Sequence, residues 1–177
     1  GKIQYVKRLL LRKNSWSLCN KLFSRATYTK GSIEYPSGNM GEDMLMCFQL
    51  LLNSRKISFI SKPFYKYYRN PSSITTTRDY ARIYENVTQL KNNADEVIQV
   101  FFRNNLVKQY RREISRFKYY VKKSAMRVGV RNEYHKAWCQ IYPELDYRII
   151  FMKLGFKEKM MYYICLFGLY PLIHSSG

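Results

Sequence analysis

The chain has 177 residues and a mass of 21.3 kDa, enough for one domain with a real hydrophobic core. Hydrophobic residues make up 46% of it, which excludes a disordered chain. Its 31 Lys and Arg against 12 Asp and Glu give a net charge of +19, which predicts an anionic partner. Nucleic acid, an anionic bilayer and a nucleotide-linked substrate all satisfy that requirement.

The sequence offers little for metal binding or for crossing a membrane. The cysteines lie far apart, form no metal-type spacing and favour reduced cytosolic thiols; they are Cys19, Cys47, Cys139 and Cys165. His135 and His174 are isolated. The longest uncharged run, residues 160–173, is shorter than the about 20 residues that a bilayer crossing needs. The start at Gly1 favours a piece of a longer protein, and no signal peptide is recognisable.

The region up to about Thr77 mixes helices with short strand-like runs. A turn containing glycine at residues 38–41 precedes apolar residues at helical spacing, which predict a helix that ends at residues 53–54. Residues 57–60 predict the clearest strand, and residues 64–69 follow with an alternating pattern. The first region is therefore expected to combine strands and helices.

The second region reads as helical almost throughout. Asp79 is the predicted N-cap of a helix whose apolar face continues to Phe101. A second helix is predicted over residues 111–128. Between Arg103 and Arg131 there are ten Lys or Arg and one acid, so this helix has a densely basic face. An aromatic tail follows at residues 162–171.

Two adjacent carboxylates, Glu42 and Asp43, stand out in so basic a chain. They fall at the predicted start of the helix that follows the 38–41 turn. A helix N-terminus stabilises negative charge, which explains the pair without any chemistry. The same position would also suit a general base that faces a cleft. Both explanations are open on these residues alone.

An ordered series of motifs surrounds this pair. The series consists of residues 16–25 (WSLCNKLFSR), 34–36 (EYP), 41–43 (GED), 57–62 (ISFISK), 63–65 (PFY) and 67–75 (YYRNPSSIT). In its order and spacing the series resembles the C-terminal, acceptor-binding half of family-two inverting glycosyltransferases with the GT-A fold. Such enzymes build bacterial surface polysaccharides. The resemblance covers roughly residues 14–77.

The resemblance implies roles for individual residues around the acidic pair. Asp43 would be the general base that takes the proton of the acceptor hydroxyl, and Glu42 would orient the loop or the acceptor. Asn20 and Lys21 match a segment at the floor of the family's site, where a lysine neutralises the departing diphosphate. Trp16 is a candidate for stacking on a sugar ring, although a tryptophan is more often part of the core.

The segment after the predicted strand would fold back over the nucleotide-sugar. Its candidate substrate-binding residues are Tyr68, Arg69, Ser73 and Thr75, with the Arg69 guanidinium on diphosphate oxygens. Some family members carry a metal-binding histidine here, but this sequence has Asn70 and Pro71. No Asp-x-Asp motif occurs anywhere, so none of these residues is a predicted metal ligand. A Mg²⁺ or Mn²⁺ ion is expected for the longer protein, held mostly by residues outside this chain.

The sequence therefore predicts a helix-rich α/β fold. Residues 1–78 would form the acceptor side of a GT-A catalytic domain with short strands, and residues 79–177 a helical extension. The predicted activity is inverting transfer of a sugar from a nucleotide-sugar donor to a glycan or lipid-linked acceptor. The donor-binding half would lie outside this chain, so the chain alone would be incomplete as an enzyme.

The alternative is a non-enzymatic module whose basic helices bind an anionic membrane or a partner protein. The basic helix and the aromatic tail would also suit a peripheral anchor of the enzyme itself. Either reading places the protein in the cytoplasm, with a peripheral position at the inner face of the plasma membrane. A nucleic-acid partner is disfavoured, because no recognised binding motif is present.

Overall fold

The computed structural model describes residues 1–29, 31–66, 68, 79–130 and 132–170, without the side chains of residues 127, 128 and 132. Helices account for 59% of the chain. The α-helices in the described ranges are α1 Lys2–Leu10, α2 Arg25–Thr29, α3 Glu42–Asn53, α4 Tyr80–Arg103, α5 Arg111–Ser124, α6 Met126–Gly129, α7 Asn132–Cys139 and α8 Phe156–Leu166. Two 3-10 turns, Pro143–Leu145 and Ile149–Phe151, precede α8.

The predicted α/β class is wrong, because the described ranges contain helices and no strand or sheet. Residues 57–60, the expected strand, belong to no regular element, and the side chains of Phe59 and Ile60 are exposed. A strand exists only where a neighbour accepts and donates its backbone hydrogen bonds, and the described ranges supply no such neighbour. The short strands expected for an acceptor-side GT-A subdomain are therefore not supported.

The predicted helices are confirmed. Helix α3 begins at Glu42 and ends at Asn53, as the apolar spacing indicated. Asp79 is the N-cap of α4, and its side chain accepts a hydrogen bond from the Ala81 amide. The helix expected over residues 111–128 is interrupted once, since α5 ends at Ser124 and α6 continues after Ala125.

The core lies where α3, α4 and α5 meet. Helix α3 packs against α4, α4 packs against α5, and α1 covers both α3 and α5. The ring of Phe48 lies 5.7 Å from that of Phe101 and 5.8 Å from that of Phe117, both at edge-to-face angles. One cluster of buried residues thus joins the two regions distinguished in the sequence. The boundary near residue 78 falls outside the described residues, and the division into domains stays a prediction.

A buried cation organises the C-terminal third. The side chain of Lys122 in α5 is fully buried, and its Nζ lies 2.7 Å from Oδ1 of Asp146. The same ammonium lies 4.8 Å from the Trp138 ring and 5.6 Å from the Tyr162 ring. Paired with a carboxylate and enclosed by aromatic faces, this cation ties α5, α7 and α8 together.

Candidate functional site

The acidic pair follows a turn whose backbone conformation favours glycine. Gly41, the N-cap of α3, has a left-handed backbone with φ of 84°. A Cβ atom at this position would lie 2.9 Å from a methyl carbon of Leu90 in α4. Because the turn is both left-handed and tightly packed, it fixes where Glu42 and Asp43 emerge at the start of α3.

Helix α4 holds this turn through two polar side chains. Oε1 of Gln89 accepts hydrogen bonds from the amides of Asn39 and Met40, at 2.9 and 3.2 Å. The buried Asn93 side chain donates to the carbonyl oxygen of Met40 at 2.8 Å. Sequence analysis did not select either residue. The available signal was a polar asparagine on the apolar face of a helix, a position that is favourable only when its amide is satisfied.

Asp43 is the half-buried member of the pair, whereas Glu42 is exposed. Oδ2 of Asp43 accepts a hydrogen bond of 3.2 Å from the amide of Leu18, in the segment between α1 and α2. Among the residues that the structure describes, no lysine, arginine or histidine forms an ion pair with this carboxylate. Asp43 is therefore held in place by one oxygen while it keeps hydrogen-bonding capacity on the other.

A cavity of about 500 Å³ opens beside this carboxylate. Its lining consists of Arg12, Lys13, Asn14, Ser15, Trp16, Ser17 and Asp43. The volume is within the range of small-molecule sites, roughly 300–1,000 Å³. Asp43 is the one acid in a lining that otherwise contains two cations, hydroxyl groups and an aromatic ring, which is a polar surface suited to a hydroxylated ligand.

Trp16 is the aromatic member of the cavity lining. Its Nε1 donates a hydrogen bond of 2.9 Å to the carbonyl oxygen of Leu9, and its ring meets Phe117 edge-to-face at 5.6 Å. The guanidinium of Arg12 lies 4.8 Å from the same ring, on a backbone with positive φ. Trp16 therefore anchors the segment to α1 and α5. Its predicted stacking on a sugar stays a prediction, and Arg12 occupies space next to that ring.

Lys21 closes the segment from the other side. Its ammonium donates to the carbonyl oxygens of Ser15 and Ser17 and to Oδ1 of Asn20, each at 2.7 Å. Burial lowers the pKa of Lys21, and Cys47 and Asp43 act in the opposite direction. The structure thus brings Asn20 and Lys21 together, as predicted, but with the ammonium directed at the backbone. Their contact with a diphosphate stays a prediction.

The remaining predicted site residues lie elsewhere. Tyr68 is described and exposed, whereas Arg69, Ser73 and Thr75 lie outside the described residues. One turn after Asp43, the buried thiol of Cys47 has its pKa raised to about 11 by burial, so it is neutral at ordinary pH. Cys19 is exposed, whereas Cys47 and Cys165 are buried.

The described residues include no group of three or more His, Cys, Asp or Glu side chains that could hold a metal ion. The expectation of a metal applies to the longer protein, and no chemical step below depends on it.

The basic face of α5 is largely occupied within the molecule. Lys118 pairs with Glu144 at 2.5 Å, Lys122 with Asp146, and Lys123 with Glu158. Arg103 at the end of α4 pairs with Glu34 at 2.5 Å. A count of basic residues in the sequence therefore overstates the charge that this face offers to an external surface.

Comparison with protein-family models found no matching family, and comparisons with curated proteins and with solved structures found no match either. Within the described ranges, each helix is too short or too polar to cross a membrane.

Proposed function

We propose that this chain is the acceptor-binding part of an inverting glycosyltransferase that uses Asp43 as general base. The observation that carries the proposal is a half-buried carboxylate, without an ion pair among the described residues, in the wall of a cavity of about 500 Å³. The ordered motifs around it support the choice of reaction. The proposal keeps the resemblance in sequence and chemistry and does not include the α/β fold that the structure overturned.

The reaction is a single displacement. Asp43 accepts the proton of an acceptor hydroxyl while the hydroxyl oxygen forms its bond to the anomeric carbon of the donor sugar. The bond from that carbon to the nucleoside diphosphate breaks, and the leaving diphosphate takes the bonding electron pair. The nucleotide-sugar is the second reactant, and the longer protein supplies its binding site.

Two features of the fold suit Asp43 to this role. The first turn of the 12-residue helix α3 holds the carboxylate in the wall of the cavity. The amide of Leu18 fixes Oδ2, which leaves the second oxygen for the acceptor. A carboxylate already placed by the protein lowers the entropy cost of bringing base and hydroxyl together.

The direct test is transfer by the longer protein, measured with a panel of nucleotide-sugars and with Asp43→Asn. Loss of a positioned general base lowers the rate by about 10²- to 10⁴-fold. Asparagine retains an oxygen for the Leu18 amide, so folding should change little. Glu42→Gln should lower the rate far less, because Glu42, the exposed neighbour on the same helical turn, would orient the loop or the acceptor without taking the proton.

A second measurement uses this chain alone. Addition of oligosaccharide acceptors should perturb the backbone NMR signals of residues 12–17 and of Asp43, which line the cavity. Full turnover by Asp43→Asn would rule out the base assignment, and perturbations located away from the cavity would rule out the acceptor site.

The alternative, a non-enzymatic basic module, rests on net charge. Its predicted surface on α5 is weakened by the ion pairs of Lys118, Lys122 and Lys123. For the enzyme we infer a cytoplasmic location, where nucleotide-sugars are available, with a peripheral position at the inner face of the plasma membrane. The acceptor would be a glycan or a lipid-linked glycan.

A further inference from the structure

Four large apolar side chains project from residues 147–156, a segment that contains the second 3-10 turn and ends at the first residue of α8. Tyr147 is 62% exposed, Ile150 57%, Phe151 85% and Phe156 83%. We name these four residues the apolar loop patch. A group of large apolar side chains directed outward within ten residues of chain marks a candidate interaction surface.

The backbone beneath the patch is firmly held. Ile149 is fully buried between two exposed patch residues. Nζ of Lys159 donates to the carbonyl oxygen of Ile150 at 2.6 Å, which joins the 3-10 turn to the first turns of α8. Arg116 of α5 donates to the carbonyl oxygen of Lys153. These contacts fix the loop, so the patch is exposed by the fold rather than by fraying.

The segment that carries the patch also carries exposed cations and contains no acid. Arg148, Lys153 and Lys157 are exposed, and none of them forms an ion pair among the described residues. The sequence has no Asp or Glu from Tyr147 to Lys157. The next acid, Glu158, pairs with Lys123. In contrast to the basic face of α5, this rim keeps its positive charge available.

We propose that the apolar loop patch is a membrane-contact site that inserts into the interface of an anionic phospholipid bilayer. The four side chains present roughly 500 Å² of apolar surface, judged from the area of aromatic residues. A standard protein interface needs about 800 Å² on each partner, so the patch is small for a stable protein contact. A bilayer interface takes aromatic and aliphatic side chains in its outer layer while its phosphates meet a cationic rim.

The energetics of such a contact divide into two terms. Each basic residue near an anionic surface contributes about 1 kcal/mol, equivalent to about fivefold in the partition constant. Complete burial of a phenylalanine is worth about tenfold or more. The patch therefore binds reversibly and weakly, and binding requires both the aromatic side chains and the rim. This contact is independent of the Asp43 chemistry.

The test is co-sedimentation of the 177-residue chain with vesicles of equimolar phosphatidylcholine and phosphatidylglycerol, and with vesicles of phosphatidylcholine alone. Binding to the anionic vesicles is expected, with release by salt. Phe151→Ser with Phe156→Ser should weaken binding by about 100-fold, since each ring contributes about tenfold. Phe102→Ser is the matched control, because Phe102 is 68% exposed but lies on α4 outside the patch.

A second pair of variants separates the rim from the basic helix. Lys153→Glu with Lys157→Glu should abolish binding, whereas Lys108→Glu with Arg111→Glu, an equal change of charge near α5, should reduce it far less. Phe151→Trp should show quenching by brominated lipid if the loop inserts. Equal losses in the two charge pairs, or no quenching of Trp at this position, would overturn the proposal. Failure to bind either vesicle would also overturn it and would favour a protein partner for the patch.

Discussion

Two half-buried aspartates occupy opposite halves of this molecule and meet very different surroundings. Asp43 receives one backbone amide and lies in a cavity wall. Asp146 receives the buried ammonium of Lys122 and the hydroxyl of Tyr162 on the same oxygen. The carboxylate of Asp43 is therefore available for chemistry, whereas the carboxylate of Asp146 is used to stabilise the fold.

The comparison shows that burial by itself does not identify a functional carboxylate. The side chains of both aspartates are partly buried. What separates them is the set of groups within hydrogen-bond distance, which the fold assigns. An acid that neutralises a buried cation cannot leave that role without exposing the cation to a low dielectric. An acid held by one amide can accept a proton at little cost to the fold.

The largest change in stability is expected when Asp146 is replaced. Asp146→Ala should lower the free energy of unfolding by about 3–5 kcal/mol, because it leaves the fully buried Lys122 without its counter-charge. Urea unfolding monitored by circular dichroism measures the difference. Asp43→Ala is the matched comparison and should change stability by no more than about 1 kcal/mol, the value of one hydrogen bond. Equal losses of stability in the two variants would show that Asp43 and Asp146 contribute alike to the fold.

The aromatic wall around the buried cation gives the next effect. Gly129→Ala in α6 would place a Cβ atom 2.4 Å from Cγ of Trp138. The Trp138 side chain is buried in the core, so it has little room to move away from the added atom. We expect a loss of about 1–3 kcal/mol from overpacking, measured by thermal unfolding. Gly155→Ala is the control, because no atom lies within 4 Å of its added Cβ. An unchanged unfolding temperature for Gly129→Ala would mean that the packing around Trp138 is looser than its geometry indicates.

The support for Asp43 provides a smaller test. Asn93→Ala removes the donor to the Met40 carbonyl oxygen and should cost about 2 kcal/mol, since a buried acceptor loses its partner. If the turn positions the base, glycosyl transfer by the longer protein should fall while acceptor binding is retained. Asn92→Ala is the control, because that residue is exposed on the same helix. Unchanged glycosyl transfer by Asn93→Ala would show that this hydrogen bond to the turn does not help to position Asp43.

The smallest effect concerns pH. The hydrogen bond from Lys123 holds the pKa of Glu158 below its ordinary value of 4.5. A carboxyl with a lowered pKa in the folded state stabilises the protein above its unfolded pKa, and this contribution is lost as pH falls below about 4.5. Glu158→Gln should therefore lower stability slightly at neutral pH, where the paired carboxylate contributes, and flatten the acid limb of the stability–pH curve. An identical acid limb would show that this pair is fully screened by solvent.

Helices and the acidic turn could be predicted from the sequence because their signals are local. Apolar spacing gave α3 and α4, and Asp79 marked the start of α4. The strand predicted at residues 57–60 does not form. Alternation in a sequence shows only that a segment could pair as a strand, and the partner strand must come from elsewhere in the chain. The basic face of α5 was misjudged for a related reason: the acids that neutralise it lie 24–35 residues later in the chain.

The sequence by itself determined the bounds of α3, the start of α4, the excess of positive charge and the position of Glu42 and Asp43 at a helix N-terminus. Only the tertiary structure decided that Asp43 borders a cavity, that Gln89 and Asn93 hold its turn, and that a rigid loop exposes Phe151 and Phe156. The physical reason is that backbone propensity acts over a few residues. Hydrogen-bond partners, ion pairs and burial depend on segments that packing brings together from distant parts of the chain.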